Sequence, residues 1–140
     1  MEIVNFKDYR SKDKLNRTFG QGNWCYVGRA NQHYRLAHSP LANPFRRGIQ
    51  SQGATLPPYR RWLWQQIQQQ NTAVLATLQS LHDETTLVCW CHPQQCHAQI
   101  IANAACWLQQ QAFDDAYLNA EVSNDALEWQ QATHSGIPCF

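Results

Sequence analysis

Residues 85–97 read TTLVCWCHPQQCH, and this stretch decides the fold. Its first half, residues 85–91, is a short apolar run with β-branched side chains, which is typical of a buried central strand. The short turn His-Pro-Gln-Gln follows, and residues 96–111 then place apolar side chains on one broad helical face. A strand that leads through a tight turn into a helix is a building unit of α/β proteins.

The rest of the chain continues this alternation. Two further short strands are predicted at residues 2–6 and 24–28. From Pro57 to residue 81, apolar residues recur with the 3.6-residue period of a helix. An interruption of this period predicts that the helix breaks near Asn71. We predict loops over residues 7–23 and 29–58, and one more helix over residues 122–132. The chain is therefore predicted to form a single small α/β domain, residues 1–140, with a short, mostly parallel sheet flanked by helices.

Charge is divided unequally along the chain. All eleven Lys and Arg residues lie at or before Arg61, and with three acids they give residues 1–61 a net charge of +8. Residues 62–140 carry seven acids and no Lys or Arg. This composition excludes a membrane span, a coiled coil, a collagen-like chain and a uniformly basic nucleic-acid binder. Because the N-terminus has no apolar run of the signal-peptide type, we expect a cytoplasmic protein with reduced cysteines.

The cysteines and histidines of residues 89–97 are the first candidate site, and three interpretations stay open. In the first, Cys96 is a catalytic nucleophile with His97 or His92 as its base, because a helix N-terminus favours a thiolate. In the second, zinc binds Cys91, His92, Cys96 and His97, although paired C-x2-C knuckles are missing. In the third, these cysteines only fill the core, as we expect for Cys89.

A second candidate site follows the strand at residues 24–28. Gly28 allows a ligand to approach the backbone, and Arg29 offers a bidentate fork for phosphate or carboxylate. Asn43, held extended before Pro44, is expected to present its amide to a ligand. In the plainer interpretation Arg29 pairs with an acid of the tail, and residues 43–45 form only a turn. The predicted ligand-binding residues are Gly28, Arg29, Ser39, Asn43, Phe45, Arg46, Cys91 and Pro93.

Together these stretches resemble a known family. The segments YVGR (26–29), SPLANPF (39–45) and LVCWCHPQQCH (87–97), with Tyr59 between them, are similar to the "domain of unknown function 4326" family of bacteria and phages. The resemblance covers residues 2–108 and leaves the acidic tail, residues 112–140, outside; Ala98 stands where the family usually has glycine. It implies a small α/β domain without an established reaction. It also groups Arg29, Asn43, Cys91, Pro93, Cys96 and His97 in one site.

Three functions are consistent with these patterns. The first is binding of a nucleotide or another anionic phosphate- or sugar-bearing small molecule, with its processing by a hydrolase or transferase reaction as the enzymatic form of this function. The second is a nucleic-acid-binding module that uses the basic N-terminal half. The third is a zinc-stabilised structural or interaction protein. The first needs no cofactor, and it is the function we expect.

Overall fold

The computed structural model describes residues 1–45 and 53–119. Three short parallel strands form its sheet: β1 (Glu2–Asn5), β2 (Trp24–Tyr26) and β3 (Thr86–Cys89). Their order is β1-β3-β2, and β3 is buried along its whole length, as predicted for a central strand. The register pairs Val88 of β3 with Val4 on one side and with Tyr26 on the other. The predicted α/β fold with a small parallel sheet is confirmed.

Within the described ranges, four α-helices pack around the sheet. They are α1 (Lys12–Phe19), α2 (Leu56–Gln68), α3 (Thr72–Gln79) and α4 (His97–Asn119). The predicted break near Asn71 is confirmed, because the Asn71 side chain caps α3 by accepting a hydrogen bond from the Val74 N–H at 3.4 Å. Helix α4 begins close to its predicted start and continues beyond residue 111.

The prediction that residues 7–23 form a loop is wrong. A 3-10 turn (Phe6–Asp8) precedes α1, and the Ser11 side chain caps α1 by accepting from the Asp13 N–H at 3.1 Å. Only Leu15 of this short helix is buried, so its sequence lacks the apolar repeat from which a helix is recognised. The sequence signal for this helix is Ser11, because serine is a common residue immediately before the first turn of a helix.

The core lies on both faces of the sheet, because successive strand side chains point to opposite sides. On one face, Leu87 and Cys89 pack with residues of α2, α3 and α4 such as Leu63 and Ile101. On the other face, Val88 packs with a smaller cluster that includes Val4, Phe6, Leu15 and Leu36. This arrangement makes β3 the centre of the fold.

Some sequence predictions cannot be compared with this structure. The predicted helix at residues 122–132 and the candidate ligand residue Arg46 lie outside the described residues. The boundaries of the domain and of its tail stay predictions. Within the described ranges, no helix is both long enough and apolar enough to cross a membrane.

Candidate functional site

The candidate site is a cavity of about 440 Å³ at the carboxyl ends of β2 and β3. Ligands of open α/β sheets usually bind at this edge, because the loops that follow parallel strands converge there. The start of α4 and the loop after β2 complete the cavity walls. Seven residues predicted from sequence line it: Gly28, Arg29, Asn43, Phe45, Cys91, Cys96 and His97.

The other predicted residues occupy different places. Ser39 is buried beneath the loop, where its hydroxyl accepts a hydrogen bond from the Leu41 N–H at 3.1 Å, and it does not line the cavity. Pro93 is exposed, follows a cis peptide bond and is not part of the lining either. A second groove of about 550 Å³, between α2 and α4, is more apolar and includes none of the predicted site residues.

Arg29 is the charged side chain of the cavity, and it fastens the loop that follows β2. Its Nε and Nη2 donate to the Asn43 carbonyl at 3.1 and 2.8 Å, and Nη2 also donates to the Phe45 carbonyl at 3.1 Å. A guanidinium has five N–H donors, and none of its bonds to the described residues uses the two on Nη1. In the described part of the chain Arg29 forms no ion pair; the acidic tail beyond residue 119, its alternative partner, is outside that part.

The Asn43 amide is engaged within the protein. Its Oδ1 accepts from the Phe45 N–H at 2.9 Å, and its Nδ2 donates to the Thr55 hydroxyl at 3.0 Å. These bonds join the loop after β2 to the segment that leads into α2. The side chain thus shapes the cavity wall, in addition to any contact that it makes with a ligand.

An aromatic wall faces this loop, and the sequence prediction did not include it. Trp90 Nε1 donates to the Tyr26 hydroxyl at 2.7 Å, and that hydroxyl donates to the Arg29 carbonyl at 2.6 Å. Both rings line the cavity together with Phe45. Their positions at the ends of two adjacent parallel strands were the available signal.

The position of the Tyr26 ring in this wall requires a glycine at residue 28. A Cβ at Gly28 would lie 2.6 Å from Cζ of Tyr26, which is far closer than atoms approach in proteins. The glycine was predicted to admit a ligand to the backbone, and in the structure it admits the Tyr26 ring. The close approach to the Gly28 backbone is therefore made in this structure by the Tyr26 ring.

The side chain of Asn5, at the end of β1, stabilises the turn between β3 and α4 by hydrogen bonds. The Asn5 Nδ2 donates to the carbonyls of Trp90 at 3.1 Å and His92 at 2.9 Å. Within the turn, the Gln94 N–H donates to the Cys91 carbonyl at 2.9 Å, which reverses the chain toward α4. This reversal brings Cys91 and Cys96 to the same cavity.

The thiol of Cys96 lies among other sulfurs. The neighbouring Cys89 and Cys91 thiols, together with burial, raise the pKa of Cys96. The Ala98 N–H in the first turn of α4 acts in the opposite direction and lowers this pKa. The neighbouring thiols and burial outweigh the helix terminus, so the net direction of the Cys96 pKa is upward, and the catalytic role of Cys96 stays a prediction.

Cys89 is the acidic thiol of the cluster. The neighbouring Cys96 thiol lowers the pKa of Cys89, aided by the backbone N–H groups of His92 and Cys91 and opposed by burial. The Cys89 sulfur also lies 3.6 Å from the Val4 carbonyl, to which its protonated form donates. Cys89 is 1% exposed and belongs to the core, as predicted, and it does not line the cavity.

His97 has a defined proton arrangement. Its Nε2 lies 2.7 Å from the Val27 carbonyl, which only accepts, so Nε2 carries the proton. Burial lowers the pKa of His97, and the nearby Arg29 charge acts in the same direction. The neutral ring therefore turns the lone pair of Nδ1 toward Cys96 Sγ at 3.5 Å. This is the contact that a thiol and its base require.

The alternative zinc set is not assembled in this structure. Within residues 1–45 and 53–119, no three or more His, Cys, Asp or Glu side chains are grouped so that they could hold a metal ion. Cys25, Cys89, Cys91 and Cys96 form no disulfide, as expected, whereas Cys106 is disulfide-bonded, so the expectation of wholly reduced cysteines is wrong at this residue.

Comparison with known proteins identifies the family. Residues 10–107 match the model of the family described as Domain of unknown function (DUF4326), and the chain belongs to this family. The resemblance inferred from the two motifs is thereby confirmed. All described residues that line the cavity lie inside the matched range. No curated protein and no solved structure matches the chain.

Proposed function

We propose that this member of the DUF4326 family binds a nucleotide, or another small anion that carries phosphate and sugar, in the cavity beside Arg29. The observation that carries this proposal is the charge of the lining. Among its described residues the lining contains Arg29 and no carboxylate. Among the described residues an anion therefore meets an attractive charge without a repulsive one, and the two Nη1 donors, which bond to none of these residues, suit a phosphate oxygen.

The aromatic wall supports a ligand with a flat ring. Tyr26, Phe45 and Trp90 offer ring surfaces on which a base or sugar packs, and the amides of Asn31 and Gln95 also line the cavity. A cavity of about 440 Å³ falls within the range of small-molecule sites, which is roughly 300–1,000 Å³. The charge of Arg29 and the surfaces of these rings match the phosphate and the base or sugar of a nucleotide.

A hydrolase or transferase reaction on this ligand is the enzymatic extension of the proposal. The described lining lacks the carboxylate pair that most glycosidases use. The available proton-transfer groups are Cys96 and His97, with His97 Nδ1 positioned to accept the Cys96 proton when the sulfur attacks. Loss of product formation in Cys96→Ser, with ligand affinity retained, is the expected signature of this chemistry.

The binding proposal is tested with four probes: adenosine 5′-monophosphate, ribose 5-phosphate, adenosine and inorganic phosphate. Titration calorimetry on the full chain is expected to give the tightest binding for the nucleotide. Arg29→Ala is expected to weaken that binding about 10-fold to 100-fold, the value of a charge-assisted hydrogen bond of about 1.5–3 kcal/mol. Equal affinity of Arg29→Ala and the wild type for every bound probe rejects the proposal.

Two control variants separate the charge of Arg29 from its role in the loop. Arg61→Ala removes one exposed arginine from α2, outside the cavity, and is expected to retain wild-type affinity. Thr55→Val removes the hydroxyl that accepts from Asn43 and measures the effect of a looser loop without a change of charge. The Arg29→Ala loss is expected to exceed the Thr55→Val loss.

Nucleic-acid binding is the second candidate function, and the surface around α1 favours it. Five exposed basic residues cluster in this short part of the chain: Lys7, Arg10, Lys12, Lys14 and Arg17. A gel-shift titration with single-stranded DNA or RNA at several salt concentrations tests it, because phosphate contacts make affinity fall steeply with salt. Absence of a shift at low salt rejects this candidate and leaves the small-molecule proposal intact.

A further inference from the structure

The side chain of Asn31 lines the cavity from a tight reversal of the loop after β2. The backbone N–H and carbonyl of Asn31 both pair with the backbone of Leu36, each bond being 2.9 Å long. Leu36 is buried in the smaller core cluster, and Tyr34 within the reversal packs on the Phe6 ring with 4.9 Å between the centroids. The core and the backbone bonds together fix the place of Asn31 in the lining.

The amide of Asn31 has a defined orientation. The Tyr34 N–H, which can only donate, lies 3.3 Å from Oδ1 and so distinguishes the oxygen of this amide from its nitrogen. No bond to a described residue uses the two N–H groups of Nδ2. The acceptor of the side chain is therefore engaged by its own loop, and what the side chain offers a ligand is a pair of donors.

We propose that Asn31 selects a 6-oxopurine base, which makes the ligand an inosine or guanosine monophosphate. This inference rests on the proposed function, that a nucleotide binds in the cavity beside Arg29. A 6-oxopurine presents two neighbouring acceptors, O6 and N7, on one edge of the base. An amide that offers only donors is complementary to that edge.

Adenine presents a different edge, with N7 as an acceptor and the N6 amino group as a donor. An asparagine pairs with this edge through both ends of its amide, since its oxygen accepts from N6 while its nitrogen donates to N7. In this structure Oδ1 of Asn31 already accepts from the Tyr34 N–H. The Trp90 ring of the aromatic wall stacks equally well on either base, so the amide is the group that discriminates between them.

The test compares inosine 5′-monophosphate with adenosine 5′-monophosphate by titration calorimetry on the full chain. The two probes have the same sugar and phosphate, and position 6 of the base carries oxygen in one and an amino group in the other. Wild-type protein is expected to bind the inosine nucleotide about 2-fold to 12-fold more tightly, the value of one hydrogen bond between uncharged groups. This comparison requires no variant.

Two matched variants assign the preference to the amide. Asn31→Asp keeps an acceptor for the Tyr34 N–H and replaces the two donors by a carboxylate oxygen, so it is expected to bind the adenosine nucleotide more tightly than the inosine one. The new charge repels both phosphates alike, and the ratio of the two affinities is therefore the readout. Gln32→Glu adds the same charge at the next position, which is exposed and outside the lining, and is expected to keep the wild-type ratio.

The outcomes separate this inference from the proposed function. Equal affinities of the wild type for the two nucleotides overturn the selection by Asn31, while the nucleotide site itself stands if Arg29→Ala weakens the binding of both. An Asn31→Asp protein that retains the wild-type ratio also overturns the selection. If neither nucleotide binds, the proposed function fails and the selection fails with it.

Discussion

Replacing Gly28 by alanine tests how the aromatic wall of the cavity is built. The new Cβ would lie 2.6 Å from Cζ and 3.0 Å from Cε1 of Tyr26, so the ring has to move. Its displacement breaks the bonds from Trp90 Nε1 at 2.7 Å and to the Arg29 carbonyl at 2.6 Å. Overpacking costs about 1–3 kcal/mol and each lost hydrogen bond about 0.5–1.5 kcal/mol, so Gly28→Ala is expected to destabilise the protein by about 2–6 kcal/mol.

The cause of this loss is isolated by a second background. Gly28 does not have a positive φ, so its backbone tolerates alanine. In a Tyr26→Ala protein the obstruction is gone, and Gly28→Ala is then expected to stabilise the chain by about 0.4–1 kcal/mol, because alanine restricts the unfolded state. The same substitution thus changes sign between the two backgrounds.

The assay is urea unfolding followed by far-ultraviolet circular dichroism on four proteins: wild type, each single variant and the double variant. A double-mutant cycle on these proteins gives the coupling between the two positions, which is expected to be at least about 2 kcal/mol. If Gly28→Ala costs the same free energy in both backgrounds, the Tyr26 ring is not what the glycine accommodates, and the reasoning is refuted.

Three further predictions concern the supports of the site. Tyr59→Phe removes the buried bond to the Leu41 carbonyl, 2.8 Å long, and is expected to cost about 1–3 kcal/mol in urea unfolding; no change contradicts this. Because burial lowers the pKa of His97, stability is expected to fall as the pH drops below about 6.5, by at most about 1.4 kcal/mol per pH unit. His97→Gln keeps a donor for Val27 and is expected to flatten that dependence; an unchanged slope contradicts it. Asn71→Ala removes the cap of α3 and is expected to cost about 0.5–2 kcal/mol by thermal unfolding, whereas an unaltered midpoint rejects the cap.

The sheet and three of the helices could be predicted because their sequences carry local periodicity. The central strand β3 is a short apolar run, and α4 has an apolar face at helical spacing, so burial alone accounts for both. Helix α1 could not be recognised in this way, since only Leu15 of it is buried. Its stability depends on the Ser11 cap and on packing of Leu15 in the smaller core cluster.

Most of the residues predicted for the candidate site line the cavity, but their chemistry was predicted only in part. Residues at the ends of adjacent parallel strands converge at one edge of the sheet, so sequence position alone places Arg29 and Cys91 together. The role of Asn43 depends on Thr55, a partner from another segment that no local pattern indicates. The pKa of Cys96 likewise depends on two neighbouring sulfurs, whose contacts outweigh the helix terminus on which the prediction rested.

The central claim, that the cavity beside Arg29 holds a phosphate-bearing ligand, is tested most directly by nuclear magnetic resonance. Nitrogen-15-labelled protein is titrated with adenosine 5′-monophosphate while the amide and indole signals are followed. The account predicts that the largest shifts fall on the Trp90 indole and on the backbone amides of Arg29, Asn31 and Cys96. Saturating nucleotide that leaves these signals unmoved, or that shifts mainly the basic surface of α1, contradicts it.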